Sequence, residues 1–119
     1  MEFSVSTPGA GAVPVVAVNG EVDVYSAPTL RDSLTELLET RGGTVVVDLT
    51  DVGFLDSTGL GALVAARTTA ASAGGSLPLV CTHQRILKLF TITGLDGVFR
   101  IYDSVDRALS DLAGSAAES

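Results

Sequence analysis

Thr44-Val45-Val46-Val47-Asp48-Leu49 is a run of strand-forming residues in which polar and apolar positions do not alternate. A strand with one wet face alternates; a strand covered on both faces does not. Such a strand sits in a largely parallel sheet with helices packed on it, and the rest of the chain has to supply those helices. It does. Leu30, Leu34, Leu37 and Leu38 recur at helical spacing behind Ser26 and Pro28, a capping residue and a first-turn proline, and Gly42-Gly43 ends the segment. After the run, a helix is predicted from Ser57 to Ser72, with Leu60, Leu63 and Val64 as its large apolar stripe and Gly74-Gly75 behind it. A third follows at Gln84 to Thr93, closed by Gly94. A fourth carries Val105, Ala108, Leu109 and Leu112 behind an Asp103 or Ser104 cap.

Between these helices lie the remaining strands, Leu77 to Cys81 and Val98 to Tyr102. Phe3 to Val5 and Val13 to Val18, joined by a Pro8 to Gly11 turn, read as an antiparallel hairpin ahead of the first helix. Pro14 and Pro78 cannot donate to a ladder and belong at strand starts or edges. The order is β-β-α-β-α-β-α-β-α. It predicts an α/β fold: a mostly parallel five-stranded sheet with an N-terminal antiparallel hairpin, flanked by four helices. At 119 residues this is one domain, over 1–113, with 114–119 as a small, polar, flexible tail.

Charge narrows the function. Seven Lys and Arg face fourteen Asp and Glu, a net −7, which disfavours binding to a phosphate backbone. One Cys and one His leave neither a disulfide nor a His-rich metal site. Met1 to Gly11 lacks a basic start and apolar core, and no apolar run reaches the roughly 20 residues that span a bilayer. The expectation is a cytoplasmic domain without nucleic-acid or membrane partners.

The chemistry-bearing stretch is Val45 to Leu63. A buried strand ends at Leu49, a loop over Thr50 to Asp56 follows, and Ser57 is delivered to a helix start as its N-cap. Ligands and partners of open α/β sheets gather at such carboxyl strand ends. Three enzyme readings fail on residues. A nucleophile elbow needs Gly where Leu55 stands; a phosphate loop needs Lys where Leu60 stands; Asp48, Asp51 and Asp56 read better as caps than as metal ligands. Asp-Ser-Thr-Gly ahead of a helix is most often a cap and nothing more. His83 reads as a loop or cap residue and Cys81 as an inert buried thiol.

These residues resemble the STAS family, in particular the bacterial anti-sigma factor antagonists. The likeness rests on Val45-Val46-Val47-Asp48-Leu49, on Asp56-Ser57-Thr58-Gly59-Leu60-Gly61, on Gly20-Glu21-Val22-Asp23, and on Ile92-Thr93-Gly94-Leu95-Asp96 before the last strand. It implies a partner switch, not an enzyme. An anti-sigma factor that is itself a serine kinase would phosphorylate Ser57, and a phosphoserine phosphatase would reverse this. ATP and Mg would belong to the kinase; the chain would carry no cofactor and be a monomer when free. Glu21, Asp23, Asp56, Ser57, Thr58, Gly59, Leu60 and Gly61 would form the partner-binding surface. Thr58 is a second candidate acceptor, better placed for a structural role, and Leu60, Leu63 and Val64 also read as core. Two other readings stay open: a STAS scaffold with a different kinase-like partner, and a small-ligand or nucleotide domain using the helix start at Ser57.

Overall fold

The computed structural model describes residues 1–8 and 13–118. The elements are β1 (Glu2–Ser6), β2 (Val15–Val22), α1 (Ala27–Thr40), β3 (Val46–Leu55), α2 (Ser57–Ser72), β4 (Leu79–Val80), α3 (Gln84–Thr93), a 3-10 turn (Leu95–Gly97), β5 (Ile101–Tyr102) and α4 (Val105–Glu118). The sheet order is β1-β2-β3-β4-β5. β1 pairs antiparallel to β2, from Glu2↔Asn19 to Ser6↔Val15, and every other pairing is parallel. The hairpin and the α/β order are as the sequence predicts; of the predicted turn at Pro8 to Gly11, residues 9–11 lie outside the described residues.

A strand order that never reverses, joined by right-handed crossovers, puts the connecting helices on one face. Leu30, Leu34 and Leu38 of α1, Leu60 and Leu63 of α2, and Ile86 and Phe90 of α3 share one core with Val16, Val18, Val47 and Leu49. Phe90 meets Phe99 edge-on, ring centroids 5.8 Å apart. On the other face α4 packs Ala108 over Val15, Val46 and Val80. Val46 and Val47 are therefore both fully buried, one on each face, which accounts for the missing alternation. Beyond Val47 the α4 side opens: Asp48 is half-buried and Thr50 exposed.

Several boundaries differ from the sequence reading. β3 does not stop at Leu49 but continues through the expected loop to Leu55, because β2 runs alongside it to Val22 and two register shifts absorb the extra residues. β4 and β5 shrink to two residues each. Val98 is withdrawn from β5 because its N–H, like that of Phe99, donates to the Leu95 carbonyl. α4 takes in residues 114–118, where a tail was expected. Pro14 and Pro78 each precede a strand and contribute only a carbonyl, to the N–H of Val46 and Val47 respectively. Gly94 closes α3 at φ 77°, the left-handed position that favours glycine.

Candidate functional site

The carboxyl ends of β2 and β3 lie side by side, and the site is built on them. Val22 pairs with Leu55, and the Asp56 N–H donates to the Val22 carbonyl at 3.2 Å. This ties the start of α2 to the turn that opens α1. Asp56 then leaves the strand in an extended conformation, φ −101° and ψ −174°, and caps α2. Its Oδ1 accepts from the Gly59 N–H at 3.0 Å and from the Thr58 hydroxyl. These donors hold its carboxyl below the ordinary value, the Thr58 hydroxyl foremost.

The cap is thus Asp56, not Ser57 as the sequence reading had it. Both residue types cap well, and the extended strand exit selects the carboxylate one position earlier. Ser57 becomes the first residue of α2, exposed, with its hydroxyl in no hydrogen bond among the described residues. Thr58 is exposed as well, but its hydroxyl is committed to Asp56. Gly59 is buried because α2 presses on the strand ends. A Cβ there would stand 2.5 Å from Leu55 Cδ1 and 2.9 Å from Val22 Cγ1. Leu60 is 5% exposed and belongs to the core. Gly59 and Leu60 therefore seat the helix, and neither offers a face to a partner in this conformation. Gly61 is exposed, with open space around it.

Glu21 is exposed near the end of β2, opposite Phe54. Asp23 follows in the turn, and its Oδ1 accepts from the N–H groups of Tyr25 at 3.0 Å and Ser26 at 3.1 Å. Ser26 makes no side-chain cap for α1. Its hydroxyl accepts from the Asp23 N–H at 3.0 Å and lies 3.2 Å from both Asp23 Oδ1 and the Glu21 carbonyl. An open groove of about 290 Å³ runs between the starts of the two helices, with Val24, Ala27 and Pro28 on one wall and Thr58, Gly61 and Ala65 on the other.

Two residues of this surface escaped the sequence reading: Tyr25 is 90% exposed and Val24 56% exposed. The available signal was two large side chains between a turn aspartate and a helix start. Val64, read as core, is exposed at the edge of α2. Elsewhere, His83 caps α3 by accepting the Arg85 N–H at Nδ1, and burial pushes the Cys81 thiol upward. No group of His, Cys, Asp and Glu that could hold a metal ion occurs among the described residues, and no described helix is long and apolar enough to cross a membrane.

A sheet whose strand order never reverses has no crevice of the kind in which open α/β folds take nucleotides. Fold and site together define a small α/β domain that presents a surface at paired strand ends. A family model described as the STAS domain matches residues 4–108, and the chain belongs to that family. It is similar to the anti-sigma-B factor antagonist of Bacillus subtilis, 44% identical over 86 residues that cover 72% of this chain and 78% of that protein. Among solved structures, an anti-sigma factor antagonist from Mycobacterium paratuberculosis is 29% identical, with a TM-score of 0.79 over 92% of this chain and 93% of that one. The Bacillus cell fate determinant SpoIIAA, solved in its phosphorylated form, has a TM-score of 0.73 over 93% of this chain and 99% of its own. At 18% identity that last likeness speaks for the fold alone.

Proposed function

We propose that this chain is an anti-sigma factor antagonist that works by partner switching on Ser57. Unphosphorylated, it binds an anti-sigma factor serine kinase and so releases a sigma factor. Phosphorylation of Ser57 by that kinase ends the binding, and a phosphoserine phosphatase restores it. ATP and Mg enter with the kinase. The observation that carries the reading is an exposed serine at the first position of α2, its hydroxyl unengaged among the described residues, in a chain similar to named anti-sigma-B factor antagonists.

The physics of the position supports a switch without refolding. A phosphate brings about −1.5 to −2 charge at neutral pH. The N-terminal N–H groups and dipole of a 16-residue helix receive that charge favourably. The cost falls on the partner. Docking over Ser57 would strip water from a phosphate beside Asp56, with Glu21 near the end of β2 and Asp23 in the turn after it. Val24, Tyr25 and the groove wall at Gly61 and Ala65 supply the apolar contact area such docking uses.

The test is the intact mass of the chain after incubation with an anti-sigma factor kinase and ATP-Mg. One added phosphate, absent in Ser57→Ala and absent without kinase, is the expected result. Binding to the kinase with no phosphate gained would replace the switch by a non-phosphorylated scaffold.

A further inference from the structure

We propose that Asp56 is a positioning residue that directs phosphorylation to Ser57 by withholding the adjacent hydroxyl of Thr58. This rests on the reading of Ser57 as the phosphoacceptor and concerns how a kinase distinguishes two exposed neighbouring hydroxyls. Their chemistry is nearly the same; their engagement is not. The Thr58 proton points to Asp56 Oδ1, which is itself fixed by the Gly59 N–H at 3.0 Å. The Ser57 hydroxyl has no such partner among the described residues.

Phosphoryl transfer forms a bond from the acceptor oxygen to the γ-phosphorus of the kinase-bound nucleoside triphosphate. It breaks the bond from that phosphorus to the β–γ bridging oxygen, and the hydroxyl proton passes to a base of the kinase. For Thr58 the kinase would first have to break a charge-assisted hydrogen bond and take from the Asp56 carboxylate one of its two donors. Ser57 requires neither. Asp56 does not take over the base's role toward Thr58, because a carboxylate held below its ordinary pKa is a weak proton acceptor.

The experiment uses the full chain with the kinase and ATP-Mg that phosphorylate it, comparing Ser57→Ala, Ser57→Ala/Asp56→Gly and Ser57→Ala/Asp56→Asn by intact mass and fragment mapping. Glycine is tolerated at a cap but accepts nothing; asparagine loses the charge but keeps the acceptor oxygen. Thr58 phosphate is expected in the glycine variant at a rate at least tenfold above the other two, equivalent to about 1.4 kcal/mol of barrier. Equal Thr58 phosphate in all three, or none in a glycine variant that still binds the kinase, overturns the proposal and leaves Ser57 as acceptor. Wild-type chain that takes no phosphate at Ser57 overturns the underlying reading and the proposal with it. A kinase-free measurement stands beside these: the Asp56 carboxyl, followed by NMR titration, rises toward its ordinary value in Thr58→Val. An unchanged titration overturns the proposal as well.

Discussion

α1 and α2 start in the same way and end up with opposite serines. Each helix follows the carboxyl end of a strand, each start is organised by an aspartate, and each aspartate is followed within three residues by a serine. At α1 the chain makes a full turn between Asp23 and Ser26, and the serine hydroxyl folds back onto the Asp23 N–H and the Glu21 carbonyl. At α2 the chain goes directly from an extended Asp56 into the helix, and Ser57 is left exposed, its hydroxyl in no hydrogen bond among the described residues. A serine near a helix start is therefore neither a cap nor an acceptor by type. The number of residues between the aspartate and the serine decides whether the hydroxyl is engaged or left exposed.

The difference is sharpest in the response to added charge. Under the proposed switch, phosphorylated chain, or Ser57→Glu, is expected to bind an anti-sigma factor kinase more than roughly a hundredfold more weakly than the unmodified chain, on the basis of about 3 kcal/mol for an unpaired, desolvated anion. Titration calorimetry of both forms checks it. Binding within threefold of the unmodified chain would place the interface away from Ser57.

Gly59 measures how firmly α2 is held against the ends of β2 and β3. Gly59→Ala is expected to cost about 1–3 kcal/mol in urea unfolding, because Leu55 and Val22 have to give way. Gly61→Ala, two residues on, where an added Cβ meets nothing within 4 Å, should stabilise by about 0.5–1 kcal/mol through helix propensity alone. If both substitutions shift the midpoint in the same direction, the close seating of α2 is wrong.

The serine pair gives a smaller effect. Ser26→Ala removes the acceptor of the Asp23 N–H and should cost about 1 kcal/mol. Ser57→Ala removes an exposed hydroxyl that makes no hydrogen bond among the described residues and should stay within about 0.5 kcal/mol. Equal losses at the two positions would erase the contrast between the two helix starts.

The same local logic explains what the sequence could and could not reveal. The order of elements was legible because Val45 to Val47 lacks the alternation of a strand with one wet face while the Leu30-Leu34-Leu38 stripe repeats at helical spacing, and the hairpin because Phe3 to Val5 and Val13 to Val18 flank a Pro-Gly turn. The end of β3 was not. Thr50-Asp51-Val52-Gly53 reads as a loop by composition, and only pairing with β2, through two register shifts, extends the strand to Leu55. That extension carries the chain straight into α2 and moves the cap from Ser57 to Asp56. The hallmark segment was found by resemblance, yet its division of labour required geometry. Gly59 and Leu60 face inward, Ser57 and Gly61 outward, and Thr58 is held by its neighbour. Tyr25 went unnoticed because an exposed aromatic in a turn has no periodic signature.

The smallest expected effect concerns acid. The Asp56 carboxyl sits below its ordinary value because the Thr58 hydroxyl and the Gly59 N–H bond its charged form. A group depressed in the folded state adds stability above its unfolded pKa, near 3.8, and that contribution is lost as pH falls through the lower folded value. Asp56→Asn keeps an oxygen for Gly59 and Thr58 but does not titrate. Urea unfolding at pH 7 and again near pH 3 should show a smaller loss on acidification in Asp56→Asn than in the wild type. At neutral pH the substitution removes a charge that favours the helix N-terminus, so the variant should begin slightly less stable and the two should converge in acid. An identical acid response would mean that the α2 cap does not depend on the ionised carboxylate. The hydrogen bond that holds Thr58 would then be no stronger than an ordinary neutral one.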